Sequence, residues 1–314
     1  MVCPAPPRSR SGNRITSLRW SHILRGLGFR SVILERWQSE SCDALIALHA
    51  VRSADSIHAF RQQHPARPLT IALTGTDLYG SPADYEQTLE SVRLGDAVIA
   101  LTAPMKQRLP REFHEKTHVI LQSAVKPHGT FSHSKQWFDV VSAGHLRPVK
   151  DPLVLARAVR LLPPTSRIRA TLYGGSMNDE LAEDVKREAQ ANGRFRWLGE
   201  RSHGETQRAI ARAHLFVLTS RSEGGPAVIS EALVSGTPIL ATKIDATIGL
   251  LGSDYPGLFP VGDDRKLAKL LERCENDADF YRELKQMCRR LKPLVSPARE
   301  VRAWRDWRKS LTIH

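Results

Sequence analysis

Short apolar runs of strand length recur along this chain, separated by helical stretches, and this alternation restricts its fold more than any other feature. Residues 138–143, 169–173, 196–198, 215–219 and 238–242 read as strands, with helices over 152–162, 180–191, 206–212 and 228–235. The first half repeats the pattern, with strands at 31–34, 44–48, 69–74, 97–101 and 118–121 and helices at 53–63 and 85–94. Apolar runs without a polar alternate face suit parallel strands covered on both sides. Repeated strand–helix–strand units then require right-handed crossovers. The expected fold is α/β, with two doubly wound Rossmann-like domains facing a cleft. Their expected bounds are 1–133 and 137–296, joined near 130–136 within the irregular stretch 127–136. A final helix over 297–314, carrying Val301 and anchored by Trp304 and Trp307, is expected to pack back on the first domain. Ligands of such sheets bind beyond the carboxyl ends of the strands.

The first helix is expected to start near Asn13. Trp20, Ile23, Leu24 and Leu27 form its apolar stripe, Arg14, Ser21 and Arg25 the opposite face, and Gly28 its stop. Only Met1, Val2 and Cys3 precede Pro4, so the first strand is expected to be stunted or to lack residues.

Composition narrows the function classes. No apolar run reaches the roughly 20 residues that span a bilayer, so no membrane span is expected. Residues 1–14 are rich in proline and arginine and lack the apolar core of a secretory signal. Cys3, Cys42, Cys274 and Cys288 show no C-x-x-C spacing, which argues for a reducing cytoplasm and against zinc. The net charge is +13, yet residues 1–140 carry 17 Lys/Arg against 12 Asp/Glu and residues 141–314 carry 29 against 21. A nucleic-acid binder concentrates such charge on one face, so no nucleic-acid partner is expected. Spread positive charge fits an enzyme with anionic substrates, and equally an arginine-favouring codon usage.

The densest motif runs from Ser222 through Glu223, Gly224, Gly225 and Pro226 to Glu231. It follows a strand-like run and opens a helix. Two glycines leave amides uncovered, and a helix N-terminus with bare amides favours a phosphate. Glu223 on the loop and Glu231 two turns along the helix could reach two hydroxyl clusters of one ligand, as carboxylates do with ribose. A surface turn with a solvated glutamate gives the same pattern. Four further loops at strand ends carry anion-binding character: residues 8–14, 73–77, 144–152 and 173–176. Each alone is also an ordinary turn with solvated cations.

Together these residues resemble glycosyltransferases of the two-Rossmann GT-B type, in the sucrose-synthase-like group known as family 4. Residues 144–151 are similar to that group's G-R-L-x-x-E-K-G loop, with His145 in place of the arginine and Arg147 two positions on. Trp197-Leu198-Gly199 resembles its F-x-G step, and residues 223–238 its E-G-x-P-x-x-x-x-E-A-x-x-x-G-x-P run. In the first half, Pro4-Ala5-Pro6-Pro7, Ser11-Gly12-Asn13-Arg14, Leu18-Arg19-Trp20, Ala47-Leu48-His49-Ala50, Arg52-Ser53-Ala54 and residues 73–79 resemble the selenosugar synthases of selenoneine biosynthesis.

That resemblance implies a UDP-sugar donor, UDP-N-acetylglucosamine or UDP-glucose, with selenophosphate as acceptor. The products would be a 1-selenosugar, UDP and phosphate, without a cofactor or metal. Arg147 and Lys150 are the implied diphosphate clamp. His49 and Glu223 complete the implied catalytic set. Gly12, His145, Gly174, Gly175, Leu198, Gly199, Gly224, Gly225, Pro226 and Glu231 would bind the donor, with Glu231 on the ribose. Arg10, Asn13, Arg14, Thr76 and Asp77 would face the acceptor. Two readings stay open beside these: His49 as a core histidine ending a strand, and Asp77 as the cap of the next turn. The competing function is a family 4 hexosyltransferase acting on a lipid or polysaccharide hydroxyl.

Overall fold

The structure is a computed structural model and describes residues 1–9 and 11–311. It divides into two compact units. Unit 1 comprises Met1–Gln122, Glu223–Gly225 and Pro297–His314, and unit 2 comprises Ser123–Ser222 and Pro226–Ser296.

Unit 1 begins with α1 (Gly12–Gly26), followed by β1 (Leu45–Leu48), α2 (Ala54–Gln63), β2 (Leu69–Ala72) and α3 (Thr76–Tyr79). Then come α4 (Pro82–Leu94), β3 (Ala97–Ala100), α5 (Ala103–Gln107) and β4 (Thr117–Val119). The four strands pair in parallel in the order β1-β2-β3-β4, with Ala47, Ile71, Val98 and Thr117 in register across the sheet. The 31–34 run does not form the strand expected of it. Instead Val2 makes single parallel bridges to Leu34 on one side and to Ala47 on the other. Val2 is fully buried there, its N–H donating to the Ile46 carbonyl at 2.8 Å and its own carbonyl accepting from Leu48 at 2.9 Å. One bridging residue therefore stands where a doubly wound sheet reverses its strand order, and the loop into α1 leaves from it.

Local chemistry explains the ends of α1. Ser11 accepts from the Arg14 N–H as N-cap. At the other end Gly28, at φ +93°, and Phe29 donate to the Arg25 and Leu24 carbonyls. That is the two-bond stop that favours glycine. Trp20 and Leu24 are buried as the stripe requires, but Ser21 is buried as well, against expectation. Its small side chain lets the apolar face extend beyond the stripe.

Unit 2 runs β5 (Phe138–Ala143), α6 (Leu153–Arg160), β6 (Ile168–Tyr173), α7 (Asp179–Ala191), β7 (Phe195–Trp197), α8 (His203–Arg212) and β8 (Leu215–Leu218). It continues with α9 (Ala227–Ser235), β9 (Ile239–Thr242), α10 (Asp245–Leu251), β10 (Leu258–Phe259), α11 (Asp264–Asn276) and α12 (Ala278–Leu291). Its all-parallel sheet has the order β10-β9-β8-β5-β6-β7. This is the Rossmann arrangement, reversing between β8 and β5.

The last helix, α13 (Pro297–Ser310), belongs to unit 1. Residues 312–314 of the expected 297–314 helix lie outside the described residues. Trp304 packs edge-on against Trp20 and against Trp307, each at 5.0 Å between ring centres. The Trp20 indole N–H donates to Glu300 at 3.0 Å, and Arg19 pairs with the same buried carboxylate at 3.2 Å. Truncating a fully buried tryptophan costs about 3–5 kcal/mol. We expect Trp304→Ala to lower the urea midpoint of unit 1 accordingly, read by circular dichroism.

Candidate functional site

In unit 2 the loops after β5 and β8 diverge from the point where strand order reverses. They are tied together: Thr219 Oγ1 donates to the Lys150 carbonyl at 2.9 Å and Arg221 N–H to the Val149 carbonyl at 2.8 Å. Arg221 also pairs with Asp151 at 2.7 Å. Asp151 is held at φ 43° between a short 3₁₀ turn, Pro148–Lys150, and α6. Arg147 precedes that turn and is half-buried, as is Lys150. A side chain added at Gly144 would meet the methylenes of Lys150 at 3.7 Å, so the lysine stem crosses the end of β5.

The loop after β6 lies against the same place. Gly174 approaches the Gly144 carbonyl so closely that a Cβ would sit 1.9 Å from the oxygen. Its N–H donates to the Gly199 carbonyl at 2.9 Å, and the Trp197 indole N–H donates to the Gly174 carbonyl at 2.8 Å. His145 Nδ1 accepts from the Gly175 N–H at 3.2 Å, which assigns the ring proton to Nε2. Gly144, His145, Gly174, Gly175 and Gly199 thus form one assembly. The Gly175 amide is used inside it rather than left bare. Leu198 remains 38% exposed.

Glu231 lies on α9, one side of which packs against α8. It is only 7% exposed. His203, the first residue of α8, contacts Glu231 Oε1 through Nε2 at 2.7 Å. Glu231 Oε2 is buried and has no hydrogen-bond partner. A buried acceptor without a donor costs about 1–3 kcal/mol, more when charged. Such an atom suits a hydroxyl that arrives with a ligand.

The Gly-Gly turn is closely packed. Glu223–Gly225 groups with unit 1, where Gly224 is buried. A Cβ on Gly224 would lie 2.2 Å from the Thr74 carbonyl oxygen, and one on Gly225 would lie 2.7 Å from Leu101 Cβ. The Gly225 carbonyl accepts from Gln122 Nε2 at 3.2 Å. These glycines permit close backbone approach. Pro226 sits just outside α9 as its N-cap, not within its first turn. Glu223 is half-buried on the same turn.

Unit 1 gathers His49, Thr76 and Asp77. Asp77 is fully buried, and its carboxylate accepts from the N–H groups of Gly75 (2.7 Å), Thr74 (3.0 Å) and Ala50 (3.2 Å). It therefore shapes the loop from within, and its expected contact with an acceptor finds no support in this geometry. His49 occupies the left-handed region at φ 67°, uncommon for a residue with a side chain and a mark of functional sites. Its Nδ1 accepts from Arg52 N–H at 3.3 Å, so Nε2–H donates to Thr76 Oγ1 at 3.0 Å. Burial lowers its pKa below the usual histidine value, opposed by Asp77. The imidazole is neutral at pH 7.

The first turn of α1 holds Gly12, exposed, and Asn13 and Arg14, half-buried. Arg14 Nε is buried without a hydrogen-bond partner. Arg10 lies outside the described residues. Among the described residues there is no group of His, Cys, Asp and Glu placed to hold a metal, and no helix long and apolar enough to cross a membrane. Sequence reasoning missed His203 and Arg221. His203 carries no local signal, because its partner lies on the next helix. Arg221 was embedded in the motif, and its tie to Asp151 follows only from the meeting of the two loops.

Two parallel doubly wound sheets, one in each unit, are the elements of a GT-B architecture. Anabaena HepE, solved in complex with UDP and glucose, matches at TM-score 0.71 and 19% identity over 94% of this chain and 82% of that one. The chain belongs to the glycosyl transferases group 1 family, whose model matches residues 129–291. The glycosyltransferase 1 domain-containing protein 1 of Xenopus tropicalis is 21% identical, over 88% of each chain. A D-inositol 3-phosphate glycosyltransferase of Corynebacterium glutamicum is 30% identical over 33% of this chain, a match spanning 27% of that protein.

A methyl group at residue 174 has no room beside the Gly144 carbonyl. We expect Gly174→Ala to weaken nucleotide binding at least tenfold by calorimetry while the far-ultraviolet spectrum keeps its shape. The depressed pKa of His49 has a second consequence. Its unfolded form, near the ordinary value of 6.5, binds more protons than the folded form, so stability falls as pH drops below about 6.5. We expect the urea midpoint to fall between pH 7.5 and 5.5, and to fall less in His49→Gln.

Proposed function

We propose that this glycosyltransferase forms a carbon–selenium bond, using a UDP-sugar, UDP-N-acetylglucosamine or UDP-glucose, as donor and selenophosphate as acceptor. The observation that carries the donor half is the buried Oε2 of Glu231, which has no hydrogen-bond partner, on the helix that follows β8 of a Rossmann sheet, suited to a ribose hydroxyl. Lys150 and Arg147 stand on the adjoining loop, where a diphosphate would need cations. Complexes of HepE with UDP and with UDP-glucose support uracil as the base. In the transfer the bond from sugar C1 to the diphosphate oxygen breaks, its electron pair leaving with UDP, while selenium bonds to C1. Water then cleaves the phosphorus–selenium bond, releasing phosphate and the 1-selenosugar.

Selenophosphate supports the acceptor half on chemical grounds. It is anionic and polarizable, so it needs cations rather than a general base. Arg14, with a buried Nε that has no hydrogen-bond partner, fits that need, and Asn13 lies next to it in α1. His49, neutral and donating to Thr76, would contact the donor sugar. Glu223 would stand near the sugar or its phosphate. The likeness of residues 4–7, 11–14 and 47–54 to selenosugar synthases supports the same choice.

Incubation with UDP-N-acetylglucosamine or UDP-glucose and selenophosphate should release UDP and a selenium-labelled sugar, detected by mass spectrometry. Transfer to a lipid or glucan hydroxyl, with selenophosphate inert, would instead make the protein a hexosyltransferase of the ordinary kind. Lys150→Ala combined with Glu231→Ala should slow turnover at least a hundredfold, the scale of losing a charge-stabilising group. Parent-like turnover in that double variant would remove the donor assignment.

A further inference from the structure

We infer that His203 is a positioning residue that pins Glu231 so that one carboxylate oxygen is presented to the nucleotide's ribose. The inference rests on the donor reading above. Glu231 is buried on α9, and only its Oε1 meets a protein donor, the His203 imidazole at 2.7 Å. Oε2 is left as a buried acceptor with no hydrogen-bond partner. A carboxylate free to turn about its last bond would exchange the two oxygens, or swing toward water to escape burial. A bond to one oxygen stops both movements, because breaking it would leave two buried acceptors unsatisfied.

The placement of His203 makes this selective. It is the first residue of α8, and the helix end is fixed by a reciprocal cap between Ser202 and Glu205, with bonds of 2.9 and 3.3 Å. The backbone carrying the imidazole is therefore set independently of Glu231. The His203 side chain is about half exposed, 51%, against 9% for Glu231. The ring thus covers the carboxylate from the solvent side, and the α8–α9 packing sets the spacing between them.

The test compares UDP, 2′-deoxy-UDP and 3′-deoxy-UDP binding by calorimetry in the full chain. His203→Ala should weaken UDP at least tenfold. The deoxy analogue that lacks the bonded hydroxyl should already bind weakly to the parent and change less than twofold in His203→Ala. His203→Gln, which keeps an N–H near the place of Nε2, should return UDP affinity to within threefold of the parent. In turnover, KM for the sugar nucleotide should rise with kcat held within twofold, a split that general destabilisation would not give. If His203→Ala binds UDP like the parent while Glu231→Ala loses it, the ribose reading stands and the role of His203 falls. If Glu231→Ala also binds UDP like the parent, both fall together.

Discussion

Parallel pairing puts every carboxyl-terminal strand end of a sheet on one edge, and the organisation of unit 2 follows from that. β5 has β8 on one side and β6 on the other, so the loops that follow them part in opposite directions. The space between them must be lined by whatever those loops carry. Here they carry Lys150, Arg147 and the Thr219–Arg221 segment, held by one main-chain bond from Arg221 to Val149, by the Thr219 hydroxyl on the Lys150 carbonyl and by the Arg221–Asp151 pair. Glycine at residue 174 is the price of bringing the next loop within contact of the first. Anionic chemistry is favoured at such an edge before any single residue is considered.

Two carboxylates show how burial separates roles that look alike in sequence. Asp77 and Glu231 are both nearly inaccessible. Asp77 faces three main-chain N–H groups and acts on the shape of its own loop. Glu231 meets one side chain and keeps an oxygen in reserve. Carboxylates saturated by backbone donors are structural, whereas one left half-satisfied in a dry place has a use for an incoming donor.

Most of the sheet elements were legible because their apolar runs are long enough to be unambiguous. Residues 138–143 are the clearest case and form β5 over the same span. The 31–34 run misled because an apolar stretch bordered by Arg30 and Glu35 pairs through Leu34 alone. Helices α11 and α12 were not read, although Leu267, Leu270, Leu271 and Cys274 repeat at helical spacing and are buried. In the site, the lysine loop and the glutamate helix were visible as motifs. The packing of Gly224 against Thr74 and the His203–Glu231 pair were not, since each depends on a partner far along the chain. Local pattern reports which face is apolar; it does not report which polar atoms will meet.

The tryptophans are divided in a way that makes the two units optically distinct. Trp20, Trp37, Trp304 and Trp307 lie in unit 1, three of them in a chain of edge-on rings, while unit 2 holds Trp137 and Trp197. Indoles at 5.0 Å couple their transitions, so the α1–α13 junction should contribute strongly to the near-ultraviolet dichroism. Trp197, whose N–H rests on the Gly174 carbonyl, is the emitter attached to the glycine loops. The chain carries its own pair of chromophores, one set for the tail helix and one for the loops that would close on a nucleotide.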